Sequence, residues 1–429
     1  MSVGGLDRTL ASACEAAGVG AASLAVLDRG RIAEAGYGIA RPDLPFRMGS
    51  IAKTFTAALV HLAAREGRLD LDAPVTRTLP GFRLADPEAT ALLTARHLLT
   101  HRGGFFGDIF DDEGCGPDAI ERYVRRLAGA EQTVPPGTLA SYCNAGIVLA
   151  ARLAEAALGE DWESLFAARL ARPFGLDRTI PRRTDPGQAV MTTAADAVPA
   201  GDPALRALGP AGATPYASAG DLVRWAAALW QPAPAGLGLI GAMTRDEVPS
   251  PSASFALGFG PGLMRFSADG AVWGHDGAVP GQASFLRIAP AAGVAVALMV
   301  AGGDARLAAQ AILPQLLADL AGSTLPAPPT LEAGAADPAA LGAVLGEWRA
   351  PRYRIAVRRA GAHAVARFAP AADAGDQTES YEVALHPIGG GAFASLLPGS
   401  RVPSLQQLHT GPGGESFLAF RGRLFRRAP

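Results

Sequence analysis

Residues 47–66 read RMGSIAKTFTAALVHLAARE. From Ser50 onward the apolar positions recur at helical spacing, and Gly67 follows as a stop signal. Ser50 stands at the helix start and Lys53 three residues later, so both lie on one face, close enough to interact. A serine hydroxyl is a poor nucleophile until a neighbour takes its proton. A lysine one turn away can take it if burial or nearby positive charge lowers its pKa.

S-x-x-K alone is a common pattern, and composition gives it weight here. The chain has 38 Lys plus Arg, yet Lys53 is its only lysine and Asn144 its only asparagine. A surface charge tolerates exchange of Lys for Arg. An amine that must lose its proton does not, because arginine stays protonated in proteins.

Outward from this helix, residues 21–38 read as two strands around an Asp-Arg-Gly turn. Residues 142–158 carry a helical pattern buried along Ile147, Val148, Ala151, Leu153 and Ala154. Residues 181–215, rich in Pro, Gly and Ala, predict an irregular lid or excursion. A helix is expected over 219–230, a strand over 271–276, two strands around Pro290–Gly293, and a terminal helix over 305–321. Strands at both ends with helices between predict a mixed α/β domain over 1–322. Residues 323–339 have linker composition. From 340 to 429, short alternating segments separated by Gly or Pro predict an antiparallel barrel or sandwich.

The 429 residues exceed one ordinary core, consistent with two domains. With 49% apolar and 18% charged residues, the chain can bury large cores. A net charge of -2 gives no reason to expect nucleic acid or an anionic membrane as partner. The N-terminus lacks a basic then apolar signal pattern, and the most apolar run, 293–303, is too short to span a bilayer. Cys14, Cys115 and Cys143 are odd in number and widely spaced, so no disulfide framework is expected. These features predict a cytoplasmic protein acting on a small molecule or short peptide, with no cofactor or metal. A homodimer is compatible with them.

Two further elements carry chemistry. In Tyr142-Cys143-Asn144, the phenol can relay a proton and the amide of Asn144 can hold both Lys53 and a substrate carbonyl. The competing reading is a structural Tyr with Asn144 capping the helix. In His275-Asp276-Gly277, alternation puts His275 and Gly277 on one face of a strand, where Gly277 admits close approach to the backbone. The competing reading is a surface His in a turn.

The ordered set S-x-x-K, Y-x-N, H-x-G resembles the penicillin-recognising serine hydrolases related to class C β-lactamases. RMGSIAKTFTA, HLLTHRGGF and PPGTLASYCNAGIVLAARLAE look like that superfamily, and the likeness covers roughly residues 15–322. It implies a β-lactamase/transpeptidase-like fold, with an antiparallel sheet flanked by helices. It also implies that Ser50 forms an acyl-enzyme, that Lys53 is base or electrostatic partner, that Tyr142 exchanges protons, and that Asn144 positions substrate. The backbone N–H groups of Ser50 and Ala278 would form the oxyanion hole.

The third motif departs from the Lys-Thr-Gly of β-lactamases, which a chain with one lysine cannot hold. His275 is largely neutral near pH 7, so a substrate carboxylate is less well served and other amides or esters are favoured. The H-x-G and YCN motifs look most similar to D-stereospecific aminopeptidases. Those enzymes carry two C-terminal barrels, one sending a loop into the active site. Residues 340–429 suffice for one, so that loop is not expected here. A substrate ammonium would need an anion, for which the loop FFGDIFDDEGCG offers Asp108, Asp111, Asp112 and Glu113; a solvated acidic loop is the plainer alternative.

Other signals are set aside. GLGLIG at 236–241 follows no strand, so a dinucleotide site is not expected. His97 and His101 have zinc spacing but lack the glutamate of H-E-x-x-H. Cys143 as nucleophile would leave Ser50 and Lys53 unexplained. The sequence therefore predicts a serine hydrolase acting as a D-aminopeptidase or D-amino-acid amidase. A carboxylesterase is the same-mechanism alternative; a weak β-lactamase or a non-catalytic peptide-binding protein are further ones.

Overall fold

A computed structural model describes residues 3–111, 113–184, 203–331, 338–371 and 380–428. Asp112, the stretch 185–202 of the expected excursion and residues 332–337 of the expected linker lie outside the described residues.

Helix α1 (Val3–Ala17) leads into the hairpin β1 (Ala21–Asp28) and β2 (Arg31–Gly38). Helices α2 (Ala52–Arg65), α3 (Asn144–Leu158) and α4 (Ala219–Trp230) follow, then strands β3 (Trp273–Val279), β4 (Gln282–Ala289) and β5 (Val294–Ala301) and helix α5 (Ala305–Ala321). The sheet is antiparallel in the order β2-β1-β5-β4-β3, and three two-residue strands within 248–265 extend it beyond β3. The N-terminal hairpin thus pairs with the C-terminal strands of the same domain, with Ala25 opposite Ala297.

Both faces of this sheet are covered, which explains its continuous apolar runs. In β1, Ala21, Ala25 and Leu27 face the core built with α2, α3 and α4, whereas Ala22, Leu24 and Val26 face α1 and α5. In β5 the same alternation sends Ala295, Ala297 and Met299 one way and Val294, Val296 and Leu298 the other. The small residues admit the helices of the first core closely; the branched ones fill the second.

Helix α2 is the centre of the first core. Every residue from Ala52 to Ala63 is buried. Phe55 stacks on Trp225 of α4 at 4.0 Å between ring centroids. Trp162 and Trp225 donate their indole N–H groups to Thr56 and Thr54, so the hydroxyls buried on α2 are satisfied. A lysine within such a helix is almost wholly withdrawn from solvent.

The C-terminal segments close into an eight-stranded antiparallel barrel: β6 (Gly346–Ala350), β7 (Tyr353–Ala360), β8 (His363–Pro370), β9 (Tyr381–Gly389), β10 (Ala392–Ser395), β11 (Ser404–Thr410), β12 (Ser416–Phe420) and β13 (Arg423–Arg427). Pairing of β6 with β13, Trp348 opposite Arg427, closes the ring and decides for barrel over sandwich. Strand β6 and the short helix Pro338–Val344 were not expected from the sequence. That helix buries Leu341 and Val344 in the barrel core, and Trp348 donates its indole N–H to the Val344 carbonyl at 2.8 Å.

Candidate active site

The serine turn precedes α2 as a single 3₁₀ turn, Gly49–Ile51. It is tied to β4 from both sides: Ser284 Oγ donates to the Met48 carbonyl at 2.7 Å, and the Arg47 N–H donates to Gln282 Oε1 at 3.0 Å. Lys53 Nζ lies 2.8 Å from Ser50 Oγ and 2.5 Å from the carbonyl oxygen of Ala211. Ala211 ends the 3₁₀ segment Pro203–Ala211, the described end of the expected excursion. Lys53 is only 2% exposed. Burial, followed by the nearby Arg423 guanidinium, holds its pKa well below the ordinary lysine value, against the opposing pull of Asp108. A neutral amine at hydrogen-bond distance from a hydroxyl can accept its proton.

Three glycines bring backbone to this turn. A Cβ on Gly277 would stand 2.2 Å from the Met48 carbonyl oxygen and 3.0 Å from Ser50 N. One on Gly49, at φ +51°, would stand 2.7 Å from Ala278 N. One on Gly212 would stand 2.1 Å from the Gly49 oxygen and 2.7 Å from Ser50 N. Gly277 was read as giving a substrate access to the strand; the structure adds that β3 itself must approach the serine turn here. The Gly277–Ala278 backbone is thereby brought against the serine turn. The roles of Gly49 and Gly212 carry no motif and were missed.

The second motif sits at the start of α3. Cys143, not Asn144, caps the helix: its Sγ accepts from the Gly146 N–H at 3.2 Å. Asn144 is free to turn inward, where its Nδ2 donates to Asp108 Oδ1 at 2.8 Å. The Tyr142 ring rests on His101, 4.4 Å between centroids, and its centroid is 5.0 Å from Lys53 Nζ. Burial raises the Tyr142 phenol above its usual value, with a hydrogen bond to Ser50 pulling the other way. Burial likewise pushes the Cys143 thiol up to about 12, which leaves it protonated and inert. His101 accepts the Cys143 N–H on Nδ1 at 3.2 Å, and its carbonyl accepts the Ser141 N–H at 2.9 Å. The HLLTH element therefore builds the seat of the Tyr-Cys-Asn loop. No group of three or more His, Cys, Asp or Glu among the described residues is arranged to hold a metal.

His275 is buried on β3, where its Nδ1 lies 2.6 Å from the Asp276 carbonyl oxygen. Burial, then the Lys53 charge, lowers its pKa to about 3, so the ring is neutral at working pH. Asp276, on the opposite face, pairs with Arg287 at 2.5 Å.

The acidic loop requires a correction. Asp108 accepts from Arg423 Nε at 2.6 Å as well as from Asn144, and is buried. Asp111 is held by Arg352 at 2.8 Å and Arg126 at 3.3 Å, and Glu113 pairs with Arg126. Each already has an arginine as counter-ion, so neither Asp108 nor Asp111 is the unpaired anion that a substrate ammonium needs. Arg352 and Arg423 belong to the barrel region, too far along the chain for the sequence to reveal the pairing.

The expectation that a single barrel leaves the site without an intruding loop is also corrected. The β12–β13 turn reaches the second motif, where the Gly422 carbonyl accepts the Tyr142 N–H at 2.9 Å and the Leu424 N–H donates to Ser141 Oγ at 3.1 Å. Ser50 opens into a cavity of about 640 Å³. Tyr142, Asn144 and residues 276–279 form one wall; Phe110, Leu205 and Leu208 form another; Leu397, Leu405 and Arg421 of the barrel close it. Arg47, Arg306 and Arg423 also line it, so guanidiniums stand where the third-motif argument foresaw no cation.

Comparison with known proteins agrees with this fold. The family described as Beta-lactamase matches residues 6–319. Penicillin-binding protein 4 of Amycolatopsis lactamdurans is 35% identical over 316 residues, covering 68% of this chain and 83% of that protein. The structure of SurE with D-Leu superposes at a TM-score of 0.71 with 28% identity, over 99% of each chain. That of a D-stereospecific amidohydrolase from Streptomyces sp. gives 0.58 with 25% identity, over 75% of this chain and 99% of the other.

Proposed function

The chain belongs to the beta-lactamase family, as a β-lactamase-fold serine hydrolase of the penicillin-recognising superfamily, and from that premise we propose that it cleaves amides or short peptides carrying a D-residue through an acyl-enzyme on Ser50. The observation that carries the reading is the 2.8 Å contact between Ser50 Oγ and a lysine buried away from water.

Neutral Lys53 takes the Ser50 proton as Oγ attacks the substrate carbonyl. The N–H groups of Ser50 and Ala278 receive the developing oxyanion. Tyr142, hydrogen-bonded to Ser50, passes a proton to the departing amine. Asn144 orients the substrate, and His275 stays neutral beside the strand on which it docks. Water then attacks the acyl group by the reverse proton path. The domain division 1–322, 323–339 and 340–429 is part of this proposal: the first domain supplies the chemistry and the barrel a wall of the cavity.

The D-preference rests on likeness. One structural relative is a D-stereospecific amidohydrolase, and another was solved with D-Leu. The test is hydrolysis of matched D-alanine and L-alanine p-nitroanilides, beside a p-nitrophenyl ester, by wild type and Ser50→Ala. A strong D preference lost in the variant is expected. Ester turnover with neither anilide cleaved would move the protein to the esterases.

A further inference from the structure

The β12–β13 turn is unusual in what it holds. Arg421 and Gly422 both adopt left-handed backbone, φ +51° and +78°, as a tight two-residue hairpin turn requires. The turn is fixed against the hydrolase domain by its bonds to Ser141 and Tyr142, and a Cβ on Gly422 would meet the Phe255 ring at 2.8 Å. Its position directs Arg423 inward. The guanidinium reaches Asp108 with Nε at 2.6 Å and Nη2 at 3.3 Å, and Nη1 donates to the Arg421 carbonyl at 2.9 Å. It also lies 4.9 Å from the centroid of the Tyr142 ring. Asp108 in turn accepts from Asn144. A barrel residue is thus linked to both Tyr142 and Asn144 of the Y-x-N motif.

The ionisable groups facing Lys53 are His101, Tyr142, Cys143, His275, Asp108 and Arg423. Burial keeps both histidines deprotonated and both the phenol and the thiol protonated. The field at Lys53 is therefore set by the Arg423 guanidinium and the Asp108 carboxylate, with the guanidinium the stronger of the two.

We infer that Arg423 is a positioning residue of the hydrolase site, supplied by the barrel. Clamped by Asp108, its guanidinium adds to burial in keeping Lys53 in the form that accepts the Ser50 proton, and through the shared carboxylate it fixes the Asn144 amide. The barrel then completes the catalytic centre electrostatically as well as walling the cavity. This rests on the acyl-enzyme reading above, but its test does not need turnover.

Because Lys53 is the only lysine in the chain, protein grown on ¹⁵N-lysine carries one labelled side chain. NMR titration of that Nζ should show its pKa rising in Arg423→Gln and falling in Asp108→Asn. The acid limb of kcat/KM should move in the same directions. Below that limb, Arg423→Gln loses about tenfold in kcat/KM for each pH unit of displacement and recovers at alkaline pH. Misfolding or lost packing alone would not move the two variants in opposite directions. Titrations coincident with wild type, or shifted in one direction by both Gln and Asn variants, would overturn the inference. If Arg423→Gln does not fold, Asp108→Asn decides. Absence of Ser50 acylation would instead overturn the underlying reading and leave these titrations standing.

Discussion

Ser50 Oγ and Lys53 Nζ lie 2.8 Å apart at the start of a helix in which Ala52 to Ala63 are all buried, and the same amine touches the Ala211 carbonyl on its other side. The lysine is held by geometry and stripped of water at once. Charging it there would leave an ammonium with a hydroxyl and a carbonyl but little solvation, which is why its proton is weakly held.

Lys53→Arg keeps a basic side chain of similar reach but cannot supply a base, since a guanidinium stays protonated. Turnover of a p-nitrophenyl ester should fall by about 10³, within the range typical of a lost general base. A variant within about tenfold of wild type would place the base elsewhere.

The pH profile has a definite sign. Lys53 titrates below its ordinary value and must be neutral to act, so kcat/KM falls as pH drops through the lowered lysine pKa. Tyr142 titrates above its ordinary 10, so no alkaline loss near neutrality arises from the phenol. His275, lowered to about 3, contributes no limb between pH 5 and 9. Its C2-proton resonance should stay fixed over that range; a midpoint near 6.5 would mean that the ring is hydrated.

Gly277→Ala puts a methyl 2.2 Å from the Met48 carbonyl and forces β3 away from Ser50. Displacing one oxyanion donor costs about 10²–10³ in kcat, and that loss is expected here. Gly241, exposed in a short helix, has nothing within 4 Å of its Cβ position. Gly241→Ala should leave kcat unchanged and, through helix propensity, raise stability by up to about 1 kcal/mol. Equal effects of the two changes on kcat would sink the close-approach argument.

Tyr142→Phe keeps the ring on His101 and against Phe255, 5.1 Å between centroids, and removes only the hydroxyl beside Ser50. Amides depend on protonation of the leaving amine more than activated esters do. The anilide-to-ester rate ratio should therefore drop by roughly tenfold or more. An unchanged ratio would remove Tyr142 from the leaving-group step.

Much of this site can be read from the chain because its chemistry is local. Ser50 and Lys53 are one helical turn apart, and the central sheet strands announce themselves by short continuous apolar runs. What could not be read is long-range pairing. Asp108 stands in an acidic loop that looks free until Arg423, 315 residues later, is folded onto it. Asn144 was open to reading as the helix cap, but Cys143 takes that place and Asn144 bonds Asp108, a partner 36 residues earlier. The turns at Arg29-Gly30 and Arg421-Gly422 place arginine in left-handed backbone, where asparagine commonly stands; with a single Asn in the chain that turn signal is muted. Strand β6 of the barrel shows only through its pairing with its neighbours, β13 among them.

The central claim is that Ser50 carries the acyl group. Trypsin releases Ser50 on the peptide Met48–Lys53, between Arg47 and the only lysine. Wild type mixed with the p-nitrophenyl ester of D-alanine, quenched in acid within the first turnover and digested, should show one D-alanyl group on that peptide by mass spectrometry. Ser50→Ala should show none and should not turn the ester over. Label on another peptide, or undiminished turnover in Ser50→Ala, would contradict the account.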